Sequence, residues 1–159
     1  MNLSGRNFLQ YLHDSPNLRA FLRVIREGES SQDERAYEMI VGGPMIGNMS
    51  RHPEVLVWIE RYKVWSSAAG AYQILRRTWQ ECVQACDLQD FGRESQDVAA
   101  VYLIYRRGAL MDVMEGRFHE AIRKCAPEWA SLPGSIYGQQ TQQMDRALAV
   151  YQQYEGRLA

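Results

Sequence analysis

No apolar run in this chain approaches the roughly 20 residues that carry a helix across a bilayer. The segment Met1 to Ser15 also lacks the basic start and apolar stretch of a secretion signal. These two absences predict a protein made in the cytoplasm, with no membrane insertion. An excess of one charge is missing too: 18 Lys and Arg stand against 19 Asp and Glu, a net charge of −1. Arg76-Arg77 and Arg106-Arg107 are isolated pairs rather than a phosphate-tracking stripe, so nucleic acid is not an expected partner. The cysteines are few and odd in number, Cys82, Cys86 and Cys125, and the first two sit at i, i+4. That spacing suits a helix core face better than a disulfide framework. His13, His52 and His119 have no ligand spacing with them, and neither a metal nor a cofactor is expected.

There is likewise no internal repeat, low-complexity tract or linker. The 159 residues, 46% of them hydrophobic, predict one domain, 1–159, with its own core. Leu18, Phe21, Leu22 and Ile25 recur at i, i+3, i+4 and i+7, which marks a helix over Asn17 to Glu27 with Gly28 at its left-handed C-cap. Further helices are expected over Ala71 to Asp87, Ser95 to Arg107 with Ser95 as N-cap, Arg117 to Cys125 and Thr141 to Tyr154. Shorter ones are expected over Asn7 to His13 and within Glu54 to Tyr62. One β signal stands out: Tyr37 to Val41, twin glycines, then Met45-Ile46, a hairpin that Pro44 makes short. The fold class is therefore α+β, mostly helical, with one small hairpin.

Two patterns suggest chemistry. A carboxylate at Glu27 would sit by the negative end of the helix dipole and against an apolar face, which disfavours ionisation. A carboxyl that stays protonated near neutral pH is what glycosidic cleavage requires of its acid. The second pattern is Ser66-Ser67-Ala68-Ala69-Gly70-Ala71-Tyr72-Gln73-Ile74, whose small residues permit close approach of a backbone or ligand. Gln73 is expected in the first turn of the helix that follows.

Together, Glu27-Gly28 and Ser66-x-x-x-Gly70-x-Tyr72-Gln73-Ile74 resemble the lytic transglycosylases and goose-type lysozymes. Tyr37 to Gly43, His52-Pro53, Leu88 to Phe91, Ser95-Gln96-Asp97, Arg107 to Leu110 and Trp129-Ala-Ser-Leu-Pro-Gly134 narrow the resemblance to the lambda-type bacteriophage endolysins. Ala71 and Glu38 stand where that family carries Arg and Asp.

The resemblance implies a lysozyme-like fold with the hairpin as one lip of a glycan cleft. It implies peptidoglycan as substrate, cleaved at the MurNAc–GlcNAc β-1,4 bond. Glu27 would be the catalytic acid, and Glu38, Tyr72, Gln73, Gln96 and Tyr137 would bind the glycan. In transglycosylases of this type the muramic 6-hydroxyl attacks its own anomeric carbon, so one glutamate suffices. A hydrolytic muramidase would need a second carboxylate. Of Glu29, Asp33, Glu34 and Glu38, Glu38 is the best placed, because Glu29, two residues from Glu27, is expected to point elsewhere. A non-catalytic glycan-binding module is a further alternative, and a purely structural helical protein, which gives no reason for the Ser66 to Gln73 pattern, is the last. The family also implies a monomer that a holin releases to the cell wall.

Overall fold

The structure, a computed structural model, describes residues 3–134 and 143–159. Its helices are α1 (Gly5–Asp14), α2 (Pro16–Glu29), α3 (Arg76–Cys86), α4 (Arg93–Arg106), α5 (Leu110–Met114), α6 (Phe118–Cys125) and α7 (Met144–Gln153). Strands β1 (Val57–Ile59) and β2 (Val64–Ser66) form the sheet. Ser4 and Asn7 make a reciprocal capping box on α1. Ser15 ends α1 and starts α2, where its Oγ accepts from the Leu18 N–H at 3.1 Å and Pro16 fills the first turn. α4 is buried nearly all round through Val98 to Val101, Leu103 and Ile104, and α1 and α3 pack on it. α2 packs against α1, α5 and α7, and Leu18, Phe21 and Ile25 reach the core together with Phe8 and Ile122.

Several expected boundaries move. α2 does not stop at Gly28. It continues through Glu29 to a C-cap at Ser30, whose N–H donates to the Arg26 carbonyl at 2.9 Å. Beyond it the Arg26 guanidinium, itself buried, donates to the carbonyls of Ser31 (3.1 Å) and Asp33 (2.8 Å) and so supports the helix exit. α3 starts at Arg76, with Ser67 Oγ accepting the Arg76 N–H at 3.0 Å, so Tyr72 and Gln73 lie in the turn before it. Gly92, not Ser95, is the N-cap of α4; Asp90 Oδ1 takes both the Gly92 N–H and the Ser95 hydroxyl. α5 was not anticipated. Of the last expected helix, Thr141 and Gln142 lie outside the described residues.

The expected hairpin over Tyr37 to Ile46 is reduced to one antiparallel bridge, and the two-stranded sheet lies further along the chain. Glu34–Glu38 is a 3₁₀ turn, and Met39↔Met45 makes a single bridge. Pro44 offers no N–H to extend that ladder, and Ile40 pairs instead with Ala69, which in turn pairs with Ile74. The two-stranded sheet is antiparallel with Val57↔Ser66, Trp58↔Trp65 and Ile59↔Val64 opposed, in a segment part of which was expected to be helical. Its β-branched and aromatic residues favour a pleated, half-exposed surface over a helix.

Candidate active site

The end of α2, the hairpin and the Trp129 segment enclose a cleft of about 330 Å³. Glu29 lines it with Ile59, Tyr62 and Val64 on the hairpin side and Gln73 and Trp129 on the other. Ser131 Oγ donates to Glu29 Oε1 at 2.7 Å, and the Ser131 N–H approaches the same oxygen at 3.4 Å. Burial dominates over those hydrogen bonds and holds the Glu29 carboxyl above the usual range for a glutamate. The Ser30 hydroxyl donates to the Ala71 carbonyl at 2.6 Å, tying the end of α2 to the turn that carries Gln73.

Glu27 has the opposite environment. Gln32 Nε2 donates to it at 3.0 Å and Arg146 of α7 reaches it at 2.6 Å, and these bonds hold its carboxyl below the usual range. It is not among the residues lining the cleft. The property expected of Glu27 therefore belongs to Glu29. The two differ by about 200° around a helix of 3.6 residues per turn. Leu18, Leu22, Ile25 and Glu29 are one stripe, while Glu27 lies on the opposite face of the helix.

The remaining expected residues divide. Gln73 lines the cleft with a left-handed backbone, φ +47°, and Nε2 donating to the Gly70 carbonyl at 2.9 Å. Such a conformation is uncommon outside glycine and collects at functional sites. Tyr72 does not reach the cleft: it is buried, its hydroxyl donates to Asp97 Oδ1 at 2.6 Å, and its carbonyl accepts from Trp129 Nε1 at 3.1 Å. Tyr37 donates to the same Asp97 oxygen at 2.8 Å, and burial beside that carboxylate pushes its own pKa up to about 12.

Gln96 is buried as well. Its Nε2 donates to the carbonyls of Tyr37 (3.0 Å) and Phe91 (2.7 Å), and its Oε1 accepts the Ala71 N–H at 3.0 Å. These bonds hold the Gly70 turn from behind. Gly70, at φ +83°, leaves no room for a side chain, because a Cβ there would lie 2.2 Å from Gln96 Oε1. Glu38 is exposed and off the cleft wall, whereas Val41 of the same expected lip lines it beside the two-stranded hairpin. Tyr137 lies outside the described residues.

The cleft's other carboxylate is Glu128, and it is committed. Arg107 Nε donates to it at 2.7 Å and Arg106 at 3.2 Å. Among the described residues no three His, Cys, Asp or Glu side chains gather to hold a metal ion. The three cysteines are free and buried, and desolvation raises the pKa of each. What the arrangement offers is one desolvated, protonatable carboxyl, positioned by a serine, in a groove walled mainly by aliphatic side chains with Tyr62, Trp129 and the Gln73 amide among them.

The sequence pattern alone sets Glu29 aside as pointing elsewhere and gives no sign of Ser131; the stripe that ends at Glu29 is the signal that finds it. Comparison with known proteins points the same way as the fold. Residues 19–158 match the Endolysin family. The endolysin of Escherichia phage lambda is 36% identical over 144 residues, 87% of this chain and 90% of the relative. That of Escherichia phage P2 is 34% identical over 149 residues, 85% and 90%. A structure of bacteriophage lambda lysozyme complexed with a chitohexasaccharide superposes with a TM-score of 0.84 at 35% identity, covering 91% of this chain and 97% of that one. With a family match over most of its length, relatives above 30% identity, and the lysozyme-like arrangement of helices and hairpin around one cleft, the chain belongs to the Endolysin family.

Proposed function

We propose that this protein cleaves the glycan strands of bacterial peptidoglycan at the MurNAc–GlcNAc β-1,4 bond, as a lytic transglycosylase in which Glu29 is acid and then base. The observation that carries the reading is the Glu29 carboxyl, held above its usual pKa inside the cleft and fixed by Ser131. Support for a polysaccharide substrate comes from the lambda relative complexed with a chitohexasaccharide.

The reaction needs a proton on the leaving oxygen and a nucleophile at the anomeric carbon. Protonated Glu29 gives its proton to the glycosidic oxygen as the C1–O bond breaks, and the chain downstream leaves as an alcohol. The C6 hydroxyl of the same muramic residue then bonds to C1 and returns its proton to the Glu29 carboxylate. The product is a 1,6-anhydro end, and the enzyme is restored with no water consumed. An intramolecular nucleophile has the proximity advantage built in. Inverting hydrolysis would need a second carboxylate about 6.5–9.5 Å from the acid to hold a water. Glu128 is neutralised by two arginines and Glu38 stands outside the cleft, so neither fits that role.

Digestion of purified cell walls followed by mass spectrometry tests this. Anhydro ends are lighter than reducing ends by one water, and in ¹⁸O-water they must carry no label. Labelled reducing ends would make the enzyme a muramidase. The proposal extends to delivery: the protein acts as a monomer, accumulates in the host cytoplasm and reaches the wall through holin lesions. Expressed alone it should cause no lysis until the membrane is permeabilised; lysis without that step would refute this part.

A further inference from the structure

The hairpin has a second face that the cleft does not use. Strand alternation puts Ile59, Val64 and Ser66 on the cleft side. Trp58 and Trp65, paired across the strands, occupy the other. Their rings lie 5.5 Å apart at 61°, and the residues are 42% and 65% exposed. Val55 and Leu56, leading into β1, are also exposed. Among the described residues there are ten exposed large hydrophobic side chains; Val64 and Leu75 belong to the cleft, while Val55, Leu56, Trp58 and Trp65 cluster in and beside the hairpin. A monomer rarely gathers its exposed apolar surface so narrowly unless the patch meets something.

Charge is concentrated in the same stretch. Residues 51–77 carry Arg51, Arg61, Lys63, Arg76 and Arg77 against only Glu54 and Glu60, all exposed, in a chain whose net charge is −1. Glu60 accepts the Trp58 indole N–H at 2.6 Å and pairs with Lys63, which ties the tip together. We propose that this face docks on an anionic lipid bilayer, with Trp58 and Trp65 at the headgroup level and Arg61 and Lys63 of the hairpin tip against lipid phosphates.

Three observations favour a lipid surface over a sugar strand. The two indoles meet edge to face and present no common plane for a pyranose ring. Their neighbours Val55 and Leu56 are aliphatic and offer a sugar no hydrogen bond. The excess of cations matches anionic headgroups, and aromatic residues favour membrane interfaces. The contact is peripheral, since no helix among the described residues is long and apolar enough to cross a membrane.

The test uses the whole protein with vesicles of phosphatidylcholine, alone or with phosphatidylglycerol, read by co-sedimentation and tryptophan emission. Trp79 and Trp129 are buried, so a blue shift reports on Trp58 and Trp65. Binding and a blue shift are expected with the anionic vesicles only, weakening as salt rises. Trp58→Ser/Trp65→Ser should bind at least tenfold more weakly. Arg61→Gln/Lys63→Gln, which keeps both indoles, should lose roughly 30-fold on about fivefold per cation. No binding to anionic vesicles, or equal binding by both variants, would overturn the proposal. So would self-association that the tryptophan variant abolishes, or a loss of chito-oligosaccharide affinity in that variant when the unaltered protein ignores lipid.

Discussion

Exchanging each of the two α2 glutamates for glutamine separates a catalytic acid from a surface ion pair, because the structure predicts effects of very different size. Glu29→Gln keeps the side-chain shape and an oxygen for the Ser131 hydroxyl but removes the transferable proton. Loss of a general acid lowers rates about 10²–10⁴-fold, or roughly 3–5.5 kcal/mol in the barrier. Glu27→Gln weakens the contacts to Gln32 and Arg146, the second of which involves an arginine that is 59% exposed. Exposed pairs of that kind contribute about 0–1 kcal/mol to stability, and the Glu27 side chain is not part of the cleft lining. Turbidity clearance and released muropeptides, measured on purified walls at matched folded concentration, give the ratio directly. Glu29→Gln should fall below a hundredth of wild-type activity and Glu27→Gln should keep more than half. The reverse order would refute the reasoning, since it would return the acid to the helix flank.

Other outcomes follow from the same geometry. Folded Glu29 holds its proton to higher pH than the unfolded chain does, so stability falls as pH rises from the unfolded glutamate range, about 4.3, through the raised folded value. Glu29→Gln removes that slope, and its melting temperature should exceed wild type at pH 7 but match it at pH 3; equal differences at both would contradict the raised pKa. Ser131→Ala deletes the hydroxyl that favours ionised Glu29, so the alkaline limb of the pH–kcat/KM profile should move to higher pH, and an unmoved or lowered limb would deny the link. Gln96→Leu strands the Ala71 N–H and the Tyr37 and Phe91 carbonyls at about 1–3 kcal/mol each. Against a total stability of about 5–15 kcal/mol, its denaturation midpoint should drop sharply, whereas a normal midpoint with lost glycan affinity would make Gln96 a ligand-contact residue.

The helical framework was legible because its signals are local. The α2 stripe, the Phe118–Cys125 pattern and the turn at Ser66 to Ile74 each follow from spacing within one element. The expected hairpin shrinks to one bridge through long-range pairing: Ile40 is captured by Ala69, and Pro44 stops the Met39–Met45 ladder. Tyr72 and Gln96 were recognised as special but given the wrong neighbours. Both face inward, onto Asp97 and the back of the Gly70 turn, and nothing in their spacing says which side of that turn the cleft lies on.

The displaced glutamate shows how one local rule misleads. Glycine after a periodic stretch commonly terminates a helix, and taking Gly28 as the stop made Glu27 the last helical carboxylate and cut Glu29 off. Two groups outside that window decide otherwise. Arg26, buried against the Tyr37 ring at 4.9 Å, supplies donors to the carbonyls beyond the helix, and Ser30 anchors the exit to Ala71. With the chain held past Gly28, the helix runs one residue further and delivers position 29 onto the stripe of Leu18, Leu22 and Ile25. The buried stripe thus ends in a carboxyl at the mouth of the cleft. The apolar packing that stabilises α2 is also what desolvates its acid, so fold stability and acid strength at Glu29 are opposed through one helix face.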